Sequence, residues 1–523
     1  MAVAAYLRVH GANDYHFNND EMMHLGIARG RSLGDVLHLS LFEVHLPLFY
    51  VLLHYWLMLS DDPAVMRGFS LLFGLATIAL YYVIGRRLGS ERLGLCAAAI
   101  VAFGQGCIIQ SYLLRHYALF LFLLSCCFYC FIRWREHRGT GALLSYFIFA
   151  AASFMTHFSG ILAVFCFATA GSLELLRVRQ WAKLSVWALA NLAVAVMAVV
   201  AYHIWEPTLA CVKSYVVAST LDRTAHTPPS VLKDAAFYPV EVAAYLFSNP
   251  LEALILLILP FASIVRVKAL RFYVLLLSGA LGLGIVLYAT RFYNIASPRH
   301  YIWNFPFLIV ASGWALARVS GPVIKDTGFL SGILLAGGVL MYNPDMRFSD
   351  TLEYQVPQAQ WEKLSHFAEG LGEHDLIIAN RDDAILLEDV YHFTDDVACR
   401  GPAQSVLMPF GKTHILFSPI HRRFFKADYL KEMLDDAKAR GWMTGVDRLA
   451  FYQTQWARAA EPDFSACNIT GKEVTPLWQS NPRYGFVRRK SDSYAKLTLV
   501  SRNAFLNEAL AQSGAAHSCL NFP

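Results

Sequence analysis

Asp20 and Glu21 stand side by side in a polar, histidine-containing stretch ahead of roughly ten apolar segments long enough to cross a bilayer. Carboxylates where a membrane meets water suit proton transfer better than anchoring. An ionised aspartate there can take the proton of an acceptor hydroxyl, a form of assistance that contributes about 10²–10⁴-fold to rate. The pattern Asn18-Asn19-Asp20-Glu21 before the helix-like run 22–30 also permits a purely structural role, with Asp20 as an N-cap and Glu21 in the first turn. His16, Asp20 and His24 recur every four residues, a metal-ligand spacing if one helix carries all three. A divalent ion is the lesser reading, because Asn18-Asn19 interrupts helical continuity and no Asp-x-Asp pair accompanies them.

Other groups able to hold an anion collect near the ends of the apolar runs. His45-Leu46-Pro47-Leu48-Phe49-Tyr50 can be a helix start with Pro47 in the first turn, or it can present His45 to a phosphate or a sugar hydroxyl. Arg115-His116-Tyr117 joins two runs, and Arg299-His300-Tyr301 stands at the end of another. A guanidinium keeps its charge and grips phosphate as a bidentate fork, so Arg115 and Arg299 suit a departing phosphate best. Thr156-His157 marks a third turn, where a buried, satisfied histidine serves equally well as an explanation. With His203, Glu206 and Arg291 these residues form a set at one predicted membrane face. Interfacial snorkelling explains any one of them. The set as a whole suits a ligand with a lipid tail and an anionic head, such as a polyprenyl phosphate.

Positioning these groups falls to membrane helices. The 523 residues are 56% hydrophobic and 16% charged, with a mean hydropathy of +0.40, which belongs to polytopic membrane proteins. Nearly charge-free runs lie at 67–85, 93–111, 116–132, 141–156, 158–176, 184–204, 251–265, 272–290, 301–317 and 328–342. In hydrocarbon such runs satisfy their backbone polar groups only as helices. Arg86, Arg87 and Arg92; Arg133, Arg135 and Arg138; Arg177, Arg179 and Lys183; Arg266, Lys268 and Arg271; and Arg318 with Lys325 fall in alternate connections, which the positive-inside rule makes cytoplasmic. Ten spans then put both Asp20 and the C-terminal region on the extracytoplasmic side. The fourteen-residue apolar stretch from Leu46 to Leu59 reaches only about 21 Å, so it is expected to be interfacial or re-entrant.

The expected organisation is a first outer loop over 1–65, a transmembrane domain of about ten helices over 66–343, and a soluble extracytoplasmic α/β domain over 344–523. In the last, 375–380 and 415–417 are strand candidates, and 384–393 and 427–440 are helix-like. Cys127-x-x-Cys130 has redox spacing but lies in an apolar run, where packing explains it. Cys211, Cys399, Cys467 and Cys519 are expected outside the membrane, where disulfides are possible in unassigned pairs, and Asn468-Ile469-Thr470 is a glycosylation sequon. Met1 to Arg8 reads as the last turns of a hydrophobic helix. No run of basic residues interleaved with aromatics points to nucleic acid. No phosphate-cradling glycine loop, nucleophile elbow or His-Glu-x-x-His is present.

Taken in order, Asp20-Glu21, His45 to Tyr50, Met66-Arg67, Arg86-Arg87, Arg115-His116-Tyr117, Thr156-His157-Phe158 and Arg299-His300-Tyr301 resemble the GT-C membrane glycosyltransferases. The similarity is to the branch containing the protein O-mannosyltransferases and the aminoarabinose transferase of lipid A, and it covers most of 9–320. It implies an α-helical polytopic membrane protein with a C-terminal extracytoplasmic α/β domain, placed in a bacterial inner membrane. It further implies an inverting transfer of sugar from a polyprenyl-phosphate-linked donor to a hydroxyl of a lipid, glycan or protein. By the same resemblance Asp20 is the base and Glu21 a supporting carboxylate. His45, Arg115, His116, Tyr117, His157, Arg299, His300 and Tyr301 contact the donor phosphate or sugar. Two departures stand out. A single proline follows His45 where many relatives have two, and the lysine that some have is absent between His45 and Arg67, which shifts phosphate contact towards arginine. The full span that the family places before its carboxylate pair is expected to be truncated or missing. A lipid or solute transporter would instead place charges at the membrane midplane and show internal repeats, and neither is seen. A non-catalytic binder of lipid-linked sugars is the remaining alternative.

Overall fold

The computed structural model describes residues 1–10, 17–41, 43, 45–221, 228–247, 250–263, 268–290, 298–321, 324–341, 371–379, 405–417, 427–455, 475–479 and 494–501. The chain forms two compact units, Met1–Ala12 with Val36–Arg347, and Asn13–Asp35 with Phe348–Pro523. The helices in chain order are α1 (Ala2–Val9), α2 (Asn19–Ala28), α3 (Leu33–Ser40), α4 (Leu48–Leu57), α5 (Pro63–Leu88), α6 (Glu91–Phe103), α7 (Gln105–Tyr112) and α8 (His116–His137). They continue with α9 (Thr140–Thr156), α10 (Gly160–Arg177), α11 (Trp181–Leu221), α12 (Pro228–Phe247), α13 (Pro250–Ser263) and α14 (Lys268–Ala289). The 3-10 helix Pro298–Asn304, α15 (Phe305–Ser320) and α16 (Thr327–Met341) complete the helical part.

Among the described residues, each of the ten apolar runs is carried mainly by helix. Among the described residues six helices are long and apolar enough to cross a membrane, and two bent pairs, α6 with α7 and α12 with α13, raise that to as many as eight. The 17-residue α9 and the 15-residue α16 are shorter apolar helices. Helix α4 has ten residues and reaches only about 15 Å, too short to cross. The aromatic centre of the first unit stacks Trp134 on Trp187, ring centroids 3.9 Å apart, beside Phe131, Tyr146 and Phe167. Cys127 and Cys130 are free thiols inside this core, and they act there as small packing residues.

Basic side chains tie the alternate connections together at one end of this unit. Arg87 pairs with Glu136 at 2.6 Å and lies 2.9 Å from His137. Arg135 and Arg138 both reach Glu174, at 2.6 and 3.2 Å. Arg135 also lies 3.7 Å over the Phe272 ring, beside Arg271, and Arg92 donates to the Lys325 carbonyl at 3.2 Å. All five basic connections therefore meet at the same end, the arrangement that the positive-inside pattern requires. Helix α8, 22 residues long, runs about 33 Å from that end, so Arg115 and His116 lie at the other.

The run at 93–111 is bent by 57° between α6 and α7 at Gly104, whose extended backbone closes one helix and opens the next. A Cβ on Gly104 would lie 3.0 Å from the Leu246 side chain, and one on Gly106 only 2.7 Å from the Tyr245 carbonyl, so glycine lets α7 lie against the backbone of α12. The break leaves the last carbonyls of α6 without intrahelical donors. Arg8 of α1 supplies them: its guanidinium donates to Val101 O at 2.8 Å and Ala102 O at 2.9 Å, and to Ser111 Oγ of α7 at 3.1 Å. A cation at a helix C-terminus is also favoured by the helix dipole. Arg8→Met keeps the stem but strips two buried carbonyls of their partners, at about 1–3 kcal/mol each. Its thermal unfolding midpoint in detergent is expected to fall clearly below that of the wild type; an unchanged midpoint removes Arg8 as the clasp of the broken helix.

The second unit contains β1 (Asp375–Ala379), β2 (Val406–Phe410), β3 (Thr413–Phe417), α17 (Ala427–Ala439), β4 (Arg448–Gln455), β5 (Thr475–Gln479) and β6 (Tyr494–Ser501). They make a mixed sheet in the order β2-β3-β1-β4-β6-β5. The central strand β1 is buried along its whole length and pairs in parallel with β3 and β4. The remaining pairs are antiparallel. The helix-like 384–393, the sequon at Asn468, and Cys399, Cys467 and Cys519 lie outside the described residues, as does the Cys211 side chain.

Candidate functional site

In the second unit the carboxylate pair opens α2. Asn18 is the N-cap: its side chain accepts from Glu21 N at 2.9 Å, while Glu21 Oε2 accepts from Asn18 N at 3.0 Å, a reciprocal capping box. The N-cap role open to Asp20 in the sequence therefore belongs to Asn18, and the buried Glu21 carboxylate closes the box. Asp20 sits half-buried at the second helical position, in the first turn, where the helix dipole favours a negative charge. His24 is buried one turn on. His16, the remaining member of the candidate metal set, lies outside the described residues.

In the first unit the structure gathers histidines and arginines from four separate connections. His45 precedes α4. Arg115 is the N-cap of α8, so His116 and Tyr117 are its first two residues, and His157 is the C-cap of α9. Arg299 and His300 belong to the 3-10 helix, which Pro298 opens with its fixed φ. The His45 and His116 ring centroids are 4.0 Å apart, and His116 stacks on His157 at 5.1 Å with 18° between planes. His45 lies 5.8 Å from His157, and His300 6.2 Å from it. The Tyr117 ring is 4.0 Å from His116, and the Arg115 guanidinium lies 5.2 Å over the Tyr117 ring.

Burial first, then the charges of Arg115 and Arg299, push His157 down from 6.5 to about 3. His157 is therefore neutral at any physiological pH, and two permanent cations act on the same imidazole. A place where two guanidiniums act on one imidazole attracts an anion, and oxygens of a phosphate match the guanidinium fork.

Not every candidate joins this cluster. Tyr301 donates its hydroxyl to Glu241 of α12, and its ring meets Tyr238 edge-on at 5.1 Å, so its polar end is committed on that side. His203 and Glu206 form an exposed pair on α11, 3.5 Å apart. Arg291 lies outside the described residues. Several participants were not anticipated from the sequence. Gln110 of α7 donates to Tyr245 OH at 2.6 Å, and Asn304 donates to Tyr238 OH at 2.8 Å. Ser159 binds the His157 ring. Gln105 and Gln110 carried a usable signal, as amides within an otherwise apolar span; Ser159 carried none beyond its place before a helix.

The apolar helices, the short helix α4 and the separate sheet unit make this a multi-pass membrane protein, and its fold is similar to that of known membrane proteins of GT-C architecture. ArnT from Cupriavidus metallidurans is similar over 95% of this chain and 96% of its own, in the apo state at 11% identity and bound to undecaprenyl phosphate at 12%, each with a TM-score of 0.52. An oligosaccharyltransferase of Archaeoglobus fulgidus, in the apo form, is similar over 86% of this chain and 68% of its own at 12% identity, with a TM-score of 0.45. No family model and no curated protein matches the sequence. At such identities the likeness concerns the fold.

Proposed function

We propose that the protein is a membrane glycosyltransferase that moves a sugar from a polyprenyl-phosphate donor to a hydroxyl acceptor, with inversion. The observation that carries this reading is the cluster of His45, His116, His157 and His300 with Arg115 and Arg299, at the end of the bundle opposite the basic connections. In a chain of GT-C fold, whose structural neighbour ArnT holds undecaprenyl phosphate, such a cluster suits the phosphate of a lipid-linked donor. The side chemistry follows. Asp20 accepts the proton of the acceptor hydroxyl as its oxygen attacks the anomeric carbon. The bond from that carbon to the phosphate oxygen breaks, and the polyprenyl phosphate departs with the electron pair against Arg115 and Arg299. Glu21 supports Asp20 by fixing the start of α2, and His45, His116, Tyr117, His157 and His300 line the donor region. The acceptor is a lipid, glycan or protein.

The gathering of five basic connections at one end supports an orientation in which that end is cytoplasmic and the cluster extracytoplasmic, in a bacterial inner membrane. The alternation of basic connections along the sequence puts the C-terminal region outside as well. The test is transfer from radiolabelled polyprenyl-phosphate sugars in membranes containing the chain, with EDTA and without. Label is expected on an acceptor in both arms. Loss with EDTA would place a divalent ion in the reaction, and absence of transfer from every donor would leave a lipid-linked-sugar binder.

A further inference from the structure

Ser159 occupies the N-cap position of α10, where a serine ordinarily turns its hydroxyl back onto its own helix. Here it makes no such cap. Its Oγ lies 2.7 Å from Nδ1 of His157, and its backbone N–H donates to that same nitrogen at 3.1 Å. A backbone N–H only donates, so Nδ1 is an acceptor and carries no proton. The serine hydroxyl then also donates to it. In a neutral imidazole the proton is left on Nε2. His157 is only 6% exposed, and among the described residues nothing bonds its Nε2. A helix cap has thus been given up to hold one imidazole tautomer, on a ring that the charges of Arg115 and Arg299 both reach.

We infer that Ser159 is a positioning residue that fixes His157 as an Nε2–H donor to a phosphate oxygen, so that the anion meets one neutral donor together with Arg115 and Arg299. This deepens the reading given above and rests on it for the ligand's chemical class. A neutral donor is the right kind of group here. A third cation would be repelled by the two arginines, whereas an N–H keeps its hydrogen bond without adding charge, and it cannot act as proton acceptor while its lone pair is held by Ser159. The titratable and charged groups around the ring are His45, His116, Tyr117, His300, Arg115 and Arg299.

The test uses the full chain in nanodiscs with ring-¹⁵N histidine, the His157 signals being identified by their loss in His157→Gln. The wild type is expected to show unprotonated Nδ1 and protonated Nε2, unchanged between about pH 5 and 8. Undecaprenyl phosphate added to the nanodisc should shift Nε2. A shift with inorganic phosphate too would show that the phosphate group alone suffices, and a shift with the lipid alone that the membrane-borne source is required. Ser159→Ala should yield mixed tautomers and a several-fold higher KM for the lipid donor with kcat little changed, and Ser159→Thr should restore both. A merely structural serine would lower thermal stability and leave the tautomer alone. Protonated Nδ1 in the wild type, titration near neutral pH, or an Nε2 that ignores both phosphates overturns the inference. Because the spectroscopic arms need no turnover, a chain that transfers no sugar can still pass them.

Discussion

Asp20→Asn is expected to lower transfer by about 10²–10⁴-fold while leaving the folded protein intact, because it removes a proton acceptor and keeps the size and hydrogen-bonding capacity of the side chain. The amide matches the carboxylate in size and can keep its place in the first turn of α2. The helix start does not depend on it: the capping bonds run between Asn18 and Glu21, at 2.9 and 3.0 Å. Those bonds make Glu21 the control. Glu21→Ala opens the capping box and exposes a buried N-terminus, which costs about 0.5–2 kcal/mol of helix stability. Glu21→Gln keeps an oxygen for Asn18 N and should preserve the start of the helix. A base at Asp20 thus predicts a large loss of kcat with an unchanged melting curve for Asp20→Asn. Glu21→Ala is expected to shift the melting curve, with activity falling through displacement of Asp20. Both are read from single-turnover transfer and thermal unfolding of purified protein. An Asp20→Asn enzyme that keeps most of its kcat takes Asp20 out of the reaction.

How far the sequence discloses this site follows from which groups the membrane constrains. Runs such as 116–132 and 272–290 are legible because hydrocarbon leaves the backbone no alternative to helix. Arg115, His157 and Arg299 stand out for the same reason, since a polar group at the end of an apolar run is conspicuous. What stays hidden depends on local substitutions of one partner for another. The bend at Gly104 reads as a single glycine in an apolar stretch, and its stabiliser, Arg8, lies over 90 residues away in sequence and reads as the tail of a helix. Asn18 takes the cap that Asp20 is equally able to fill by type, and Ser159 has the sequence position of a cap but the bonds of an imidazole anchor. In the sheet, the apolar central strands at 375–379 and 413–417 show themselves. The edge strands β2 and β5 contain Pro409 and Pro476, which interrupt the pattern and are tolerated because an edge leaves one row of ladder bonds unmade.

Arg115→Met is expected to reduce transfer by about 10²–10³-fold, the range seen when one preorganised group facing developing negative charge is removed. The leaving group gains charge as the glycosidic bond lengthens, so the loss should fall mainly on kcat. Arg115→Lys keeps a charge but loses the planar fork and the fit over the Tyr117 ring, 5.2 Å away, and should recover only part of it. Backbone support for the site survives either change: Ser70 Oγ reaches the Arg115 carbonyl, and α8 continues from His116. A second readout separates an electrostatic role from a merely structural one. Arg115 and Arg299 both help to keep His157 unprotonated, after burial. Removing either charge must move the His157 pKa upward from about 3 towards 6.5, by less than the whole interval because burial remains. Arg115→Met and Arg299→Met should each raise it, and the double variant should raise it further. In transfer the double variant is expected to lose less than the product of the single losses, since the two guanidiniums grip one phosphate. Losses that multiply fully would assign the two arginines to separate tasks, and a His157 unmoved by either substitution would mean that neither charge faces the ring.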